Sequence, residues 1–248
     1  MFDKNLINKN KEKSIDNIKN SDFYKFIYSD LKERLEPIDK NYQEVLLIDF
    51  FDYHMLQLDN FYHINFVKPC NLDLIKKKSI DLILFPFGLH WIENISHFLT
   101  EVKLILKENG IFICNFPGSG TLNLLRKTLF LAEENVNSVH FPHISPFIRF
   151  KDMTSLLQQA GFAENIIDSE TIDLEYDSPI SLMKDLKNFG ESNIICNRTN
   201  YSITKSIYRS LENYSDNSFL DQVNLISLIS SPTKNSIKLK TKYFPNNS

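Results

Sequence analysis

Glycine is the residue whose scarcity constrains this sequence most. The chain has 248 residues but only six glycines, and none of them precedes Gly88. A GxGxxG or Walker-type loop needs glycine where the backbone adopts positive φ or touches a phosphate. The sequence therefore excludes such a loop after the first strand, where a dinucleotide-binding fold ordinarily carries it.

Cysteine is also scarce, and its spacing excludes the usual cysteine-based sites. The three cysteines, Cys70, Cys114 and Cys196, lie far apart and form no CxxC pair. One would be left over in any disulfide scheme, which favours a reducing compartment and argues against a structural zinc site. We expect these side chains to act as small buried hydrophobes.

The chain lacks both a long apolar run and a strong charge of one sign. No stretch approaches the roughly 20 apolar residues of a membrane span, and the net charge is only −3. This balance gives no reason to expect nucleic-acid or membrane-surface binding. The N-terminal segment has no arginine before Arg34 and no apolar signal region, so we expect a cytoplasmic protein.

Hydrophobic residues nevertheless make up 42% of the chain, and they fall into an alternating strand and helix pattern. In the first half, the pattern predicts strands at Val45–Phe50, Tyr62–Val67, Ile80–Phe87 and Ile111–Phe116, and helices at Phe23–Leu35, Tyr53–Leu58, Ile92–Leu106 and Leu122–Glu133. In the second half, it predicts helices at Lys151–Ala160, Pro179–Asn188 and Thr204–Glu212, and strands at Glu164–Tyr176 and Phe219–Ile229. This order is typical of an α/β fold with a doubly wound, mostly parallel sheet.

Composition divides the chain into three parts. Residues 1–20 are rich in lysine and asparagine and predict a loosely ordered lead-in, while residues 233–248 predict a polar tail. No segment between them is rich enough in glycine, proline or serine to act as a linker. We therefore expect a single domain over residues 21–232.

Several polar residues follow predicted strands or lie in loops, and each has a bland alternative. His90 and Trp91 come just after a strand, where ligands bind in open α/β sheets, although a lone tryptophan is often a packing anchor. The turn Pro117–Thr121 would hold an anion at a helix N-terminus or merely cap that helix. His140 and His143 have no third ligand nearby, so we expect no metal and interpret their loop as facing a substrate.

Three segments resemble the class I methyltransferases that use S-adenosylmethionine. These are Ser79–Leu84 with Gly88–Ile92, Leu104–Phe112, and Gln159–Phe162. The pairs Thr121-Leu122 and Leu125-Arg126, the loop Pro142–Phe147, and Gly190–Asn193 with Asn197-Arg198 are similar to one branch of that family. This branch contains the malonyl-carrier-protein O-methyltransferases and the respiratory complex I assembly factor with its bacterial relatives.

The resemblance implies a class I methyltransferase-like Rossmann fold that uses S-adenosylmethionine. It implies cofactor contacts for Asp49, Leu89 and Trp91, and catalytic roles for four polar residues: His90, His143, Glu191 and Arg198. It also implies a protein partner, such as a complex I subunit. The related activities are methylation of a protein or carrier protein and arginine hydroxylation.

The cofactor half of the chain departs from this family. Family members place a glycine loop, two helices and two further strands where only Val45–Val67 is available, so about thirty residues are missing. Asp49 stands either where the family's ribose-binding acid would be or at a strand end as a turn residue. We therefore expect a shortened methyltransferase fold that has weakened or lost S-adenosylmethionine binding and acts through partner recognition; the alternative is an active methyltransferase.

Overall fold

A computed structural model describes residues 3–50, 63–134, 142–192, 203–212 and 218–240. Its strands are β1 (Glu44–Ile48), β2 (His63–Val67), β3 (Ile80–Phe85), β4 (Leu106–Pro117), β5 (Glu164–Tyr176) and β6 (Phe219–Ser231). Its helices are α1 (Lys4–Asn20), α2 (Asp22–Leu35), α3 (Ile95–Ile105), α4 (Asn123–Glu134), α5 (Phe150–Ala160), α6 (Pro179–Asn188) and α7 (Lys205–Glu212). The helix predicted at 53–58 lies outside the described residues.

The six strands form one sheet in the order β2-β1-β3-β4-β6-β5. The pairs β1 with β2, β1 with β3, and β3 with β4 are all parallel. Val45–Ile48 of β1 have no exposed surface, as expected for a parallel strand that is covered on both faces. The predicted doubly wound, mostly parallel α/β fold is confirmed.

The described residues group into two compact units that are interleaved along the chain. The first comprises residues 1–18, 117–148 and 170–225, and the second comprises residues 19–116, 149–169 and 226–248. The single domain predicted over 21–232 stays a prediction. Among the described residues, no helix is both long and apolar enough to cross a membrane.

The first unit has a core of its own, built from α4, α6, α7 and the start of β6. It buries Leu122, Leu125, Leu129, Ala132, Ile144, Ile180, Leu182, Ile207, Leu211 and Phe219. The second unit contains β1, β2 and β3, with α3 packed against α5. Helix α5 ends at Ala160, as the predicted range did, and its C-cap is Gly161, whose φ of 87° places it in the left-handed region that glycine favours.

The prediction of a loosely ordered lead-in is wrong, because residues 4–20 form α1. Ile7, Lys11, Ser14 and Ile18 are its buried residues, and their spacing puts them on one helical face. Only two of the four are apolar, which is why hydrophobic periodicity did not reveal the helix. The tail is also partly ordered, since Ile38 and Leu239 form an antiparallel bridge.

Helix α3 lies within its predicted range of Ile92–Leu106, since it begins at Ile95 and ends at Ile105. Strand β4 begins earlier than the predicted Ile111, at Leu106, which pairs with Ile80. Gly110 lies within β4, where an added Cβ would approach the Lys107 carbonyl oxygen to 2.9 Å. This glycine therefore serves close backbone packing rather than a helix cap.

The cysteines divide by environment. Cys114 is buried on β4, as predicted, but Cys70 is exposed and does not act as a core side chain. Burial raises the pKa of the Cys114 thiol well above its usual value, so this residue is an inert hydrophobe. Cys196 lies outside the described residues.

Candidate functional site

The ligand crevice expected of this topology lies beyond the carboxyl ends of β1 and β3. Strand β1 has β2 on one side and β3 on the other, so the winding direction of the sheet reverses between β1 and β3. Open α/β sheets bind ligands at such a reversal. The residues that follow these two strands, from Asp49 and from Pro86, are therefore the candidates for ligand contact.

Aromatic side chains meet at this reversal. We call six buried residues the aromatic cluster: Tyr24, Phe50, Phe85, Phe87, His90 and Trp91. The ring centroids lie 6.2 Å apart for Phe50 and Phe85, 5.2 Å for Phe87 and His90, and 4.6 Å for His90 and Trp91. Such separations are those of packed rings. Phe50 and Phe85 form one set of ring contacts, and Tyr24, Phe87, His90 and Trp91 form another.

Gly88 is required by this packing. A Cβ built at Gly88 would lie 2.2 Å from a ring carbon of Phe85 and 3.0 Å from one of Phe50. The preceding residue, Phe87, has a φ of 39°, a strained value for a residue that is not glycine. Its backbone N–H donates to Asn115 Oδ1 at 3.0 Å, which holds the turn that carries His90 and Trp91.

Asn115 also joins this turn to a buried carboxylate. Its Nδ2 donates to Asp30 Oδ2 and to the Ile27 carbonyl oxygen, each at 2.8 Å. The Ser227 hydroxyl donates to the same Asp30 oxygen at 3.0 Å, and Arg34 Nε donates to the other at 2.7 Å. The carboxylate of Asp30 is thereby compensated in the interior.

Asp49 is buried and engaged in local hydrogen bonds. The hydroxyl of Tyr28 donates to Asp49 Oδ2 at 3.0 Å, and the backbone N–H of Phe50 donates to Oδ1 at 2.7 Å. Burial and, after it, the neighbouring Asp49 carboxylate raise the pKa of Tyr28 well above its usual value. These bonds match the turn interpretation of Asp49.

The residues predicted to contact S-adenosylmethionine have little exposed surface. Asp49 is 4% exposed, Leu89 is fully buried and Trp91 is 6% exposed. The structure brings Asp49, Leu89, His90 and Trp91 to one edge of the sheet, and their roles toward a cofactor or substrate stay predictions.

The predicted residue His143 lies in the first unit. Its Nε2 is 2.6 Å from Oε1 of Glu133, which is 2% exposed. Arg126 donates to the carbonyl oxygens of Ile144 at 2.8 Å and Ser145 at 3.2 Å. The Glu133 carboxylate and the Arg126 guanidinium thus fix the His143 loop from α4. No metal-binding group of His, Cys, Asp or Glu occurs among the described residues.

The N-terminus of α4 is capped differently from the prediction. Asp221 on β6 accepts hydrogen bonds from the backbone N–H groups of Leu124 at 3.3 Å and Leu125 at 2.7 Å. Thr121 Oγ1 instead accepts from the backbone N–H of Asn224 at 3.0 Å. A protein carboxylate occupies these helix N–H groups, so the interpretation of Pro117–Thr121 as an anion site is wrong.

Glu191 lies just after α6 and forms an ion pair with Lys11 of α1. Its own side chain is only 10% exposed. Arg198, the remaining predicted catalytic residue, lies outside the described residues. His143 and Glu191 therefore belong to the first unit and have different partners there, whereas His90 belongs to the second unit.

Sequence reasoning missed the partners of these residues. Five missed residues hydrogen-bond or ion-pair with a predicted residue or with the segment that carries one: Tyr28, Asn115, Lys11, Glu133 and Asp221. Asn115 had a visible signal, since it is a polar residue within an apolar strand. The others resemble ordinary surface residues in the sequence, because their partners are distant along the chain.

Comparisons with known proteins agree with the fold and define the family. A methyltransferase domain model matches residues 34–114. A solved structure described as a putative methyltransferase, from Bacillus halodurans C-125, superposes with a TM-score of 0.52 at 12% identity, covering 84% of this chain and 99% of that one. The fold is thus that of the class I methyltransferases.

Sequence relatives carry the assignment further. The "putative methyltransferase" of Rickettsia prowazekii (strain Madrid E) is 45% identical over 196 residues, which span 79% of this chain and 82% of that protein. Human mitochondrial arginine-hydroxylase NDUFAF5 is 38% identical over 50% of this chain and 36% of its own length. The match to malonyl-[acyl-carrier protein] O-methyltransferase of Nitrosospira multiformis is 32% identical over 45% of this chain and 34% of that enzyme. This chain belongs to the methyltransferase-domain family and is related to NDUFAF5.

Proposed function

We propose that this chain is a methyltransferase-fold protein of the complex I assembly factor type that acts by recognising a protein partner and binds S-adenosylmethionine weakly or not at all. The family and the fold support S-adenosylmethionine as the cofactor by resemblance. The closed aromatic cluster at the sheet reversal argues against a working donor site. That cluster is the single observation that carries the proposal.

Methyl transfer depends on position more than on side-chain chemistry. The sulfonium carbon is already activated, so the fold has to hold donor and acceptor in line and exclude water. Phe50 and Phe85 pack against Gly88 where that donor would have to sit. An aromatic ring in that place leaves no room to align the donor with an acceptor. The exposed surface of the protein can still bind a partner.

The polar pairs of the first unit support partner recognition. Glu133 with His143 and Lys11 with Glu191 are pairs of one buried and one partly buried residue, and neither pair belongs to the aromatic cluster. Removing charged groups from water has a desolvation cost. These pairs therefore bring little net stability, which favours a role for them in recognising a partner. A protein subunit of complex I is the partner that the family relationship favours.

Calorimetric titration with S-adenosylmethionine and with S-adenosylhomocysteine tests the donor site. We expect no saturable heat at micromolar ligand and no rise in Tm. An intact site would instead add about 2.7 kcal/mol at a hundredfold excess over Kd, which for a chain of this size raises Tm by about 5–10 °C.

The Asp49→Asn variant is the matched control for the same titration. Micromolar binding by the unsubstituted chain that this variant abolishes would overturn the proposal and favour the active methyltransferase. Binding of the purified chain to separate complex I subunits tests the partner. Absence of binding to every subunit would remove the assembly role.

A further inference from the structure

Helix α1 is held against the end of α6 by polar contacts. The Lys11 ammonium forms an ion pair with Glu191 and donates to the carbonyl oxygen of Phe189 at 3.4 Å. Lys11 is only 1% exposed. A lysine buried to this degree is unusual and needs a dedicated partner.

The backbone of α1 also fits the turn after α6 closely. Gly190 has a φ of 70°, and a Cβ built on it would lie 3.0 Å from both the Asn10 carbonyl oxygen and Ser14 Oγ. Asn17 Nδ2 donates to the Asn188 carbonyl oxygen at 3.1 Å. The turn at residues 188–191 is therefore shaped to receive a helix.

The groups that hold Lys11 define the chemistry of this place. Phe189 is the C-cap of α6, where the helix dipole concentrates partial negative charge. The Glu191 carboxylate adds a full negative charge beside that carbonyl. A carboxylate and a helix-terminal carbonyl together form a site for an ammonium group.

The buried face of α1 is poorly suited to permanent attachment. Ile7 and Ile18 are its only buried apolar residues, while Lys11 and Ser14 lie between them. Desolvation offsets much of the attraction in a buried ion pair, and a helix in a protein owes most of its stability to the packing of an apolar face, which α1 has little of. Such a segment is expected to open locally at a low free-energy cost.

We propose that α1 is a displaceable internal occupant of a helix-binding site on the first unit, and that the external ligand is a partner helix presenting a lysine between two aliphatic residues. The spacing of Ile7, Lys11 and Ile18 is the template for that ligand. The mode is an amphipathic helix in a groove, with one charged anchor. The inference rests on the proposed function and identifies the site and the ligand chemistry.

A labelled peptide with the sequence of residues 3–20 tests the site on the full chain by fluorescence anisotropy. We expect the Lys11→Ala chain to bind this peptide at least tenfold more tightly than the unsubstituted chain, because its own α1 is a weaker competitor. Adding Glu191→Gln to the Lys11→Ala chain should weaken its binding of the peptide at least tenfold. A peptide that carries Lys11→Ala should bind neither chain.

Lys13→Ala is the matched control, because Lys13 lies exposed on the same helix. Equal peptide affinity for the Lys11→Ala and Lys13→Ala chains would overturn the inference. Hydrogen exchange of the unsubstituted chain gives a second readout, which needs no variant to fold. We expect the amides of α1 to exchange at least a hundredfold faster than those of α6. If the α1 amides exchanged only through global unfolding, the inference would also be overturned. Neither readout uses S-adenosylmethionine, so a failure of the proposed function at the donor site is recognised separately.

Discussion

Replacement of Asn115 by alanine is expected to destabilise the chain by about 3–5 kcal/mol. Asn115 has no exposed surface, and its amide joins three groups: the Phe87 N–H, the Ile27 carbonyl and the Asp30 carboxylate. Alanine removes all three hydrogen bonds and offers no replacement. It also frees the strained turn that carries His90 and Trp91.

The magnitude follows from the individual bonds. A hydrogen bond to a charged acceptor contributes about 1.5–3 kcal/mol, and each neutral bond contributes about 0.5–1.5 kcal/mol. One of the three bonds reaches the Asp30 carboxylate at 2.8 Å, and the other two are neutral. The sum is a large part of the 5–15 kcal/mol or so that stabilises a typical native domain.

Urea unfolding measures this effect directly. Trp91 is the only tryptophan in the chain and lies in the aromatic cluster, so its fluorescence reports on this region, while circular dichroism reports on the whole. Asn224→Ala is the control, because its side chain donates to the Ser119 carbonyl at an exposed site, and we expect a loss below about 1 kcal/mol.

A second substitution separates shape from charge. Asn115→Asp keeps an acceptor for the Phe87 N–H but turns a carboxylate toward Asp30. We expect it to be more destabilising than alanine at pH 7 and to recover as the pH falls, because protonation relieves the repulsion. A loss below about 1 kcal/mol for Asn115→Ala at unchanged m-value, or an Asn115→Asp effect that ignores pH, would refute the reasoning.

Two further predictions concern stability in each unit. Asp221→Ala is expected to cost about 1–2 kcal/mol in urea unfolding, since it leaves the N–H groups of Leu124 and Leu125 without their cap; an unchanged midpoint would contradict the capping role. Although burial alone raises the pKa of Asp81, the hydrogen bond from Lys107 and two backbone N–H groups at the start of β1 outweigh it and lower the pKa. A lowered pKa stabilises the fold above about pH 4 and loses that effect as the pH falls through the folded-state value. Asp81→Asn should therefore cost about 1 kcal/mol at pH 7, and the difference in unfolding midpoint should shrink as the pH falls below about 4, whereas a constant difference would contradict the ion-pair explanation.

Strands β1 and β3 were predictable because their environment is uniform. Val45–Ile48 and Leu82–Phe85 are apolar and buried at every position, which is typical of parallel strands covered on both faces. The start of α6 was predictable because Pro179 stands at the first helical position, and in the structure Ser178 and Ser181 form a capping box there. Local chemistry alone determines these elements.

The polar interior was not predictable for a different physical reason. Lys11 meets Glu191, and Asp221 meets Leu125, across large distances in sequence, so no local pattern marks either pair. The helix α1 escaped detection because a lysine and a serine occupy half of its buried face. A charged residue is ordinarily predicted to be exposed, and this prediction fails where a partner compensates the charge in the interior.

The shortage of glycine and the aromatic cluster have a common physical cause. A glycine after β1 would leave the reversal between β1 and β3 free of side chains, but this chain has Phe50 there, and a ring must pack somewhere. It packs against Phe85, and both rings fit only because Gly88 contributes no Cβ. Gly88 therefore leaves room for two rings, whereas a glycine loop would leave room for a ligand. Because Phe50, Phe85 and Gly88 depend on one another sterically, a side chain added at Gly88 would force the ring of Phe85 or Phe50 to move.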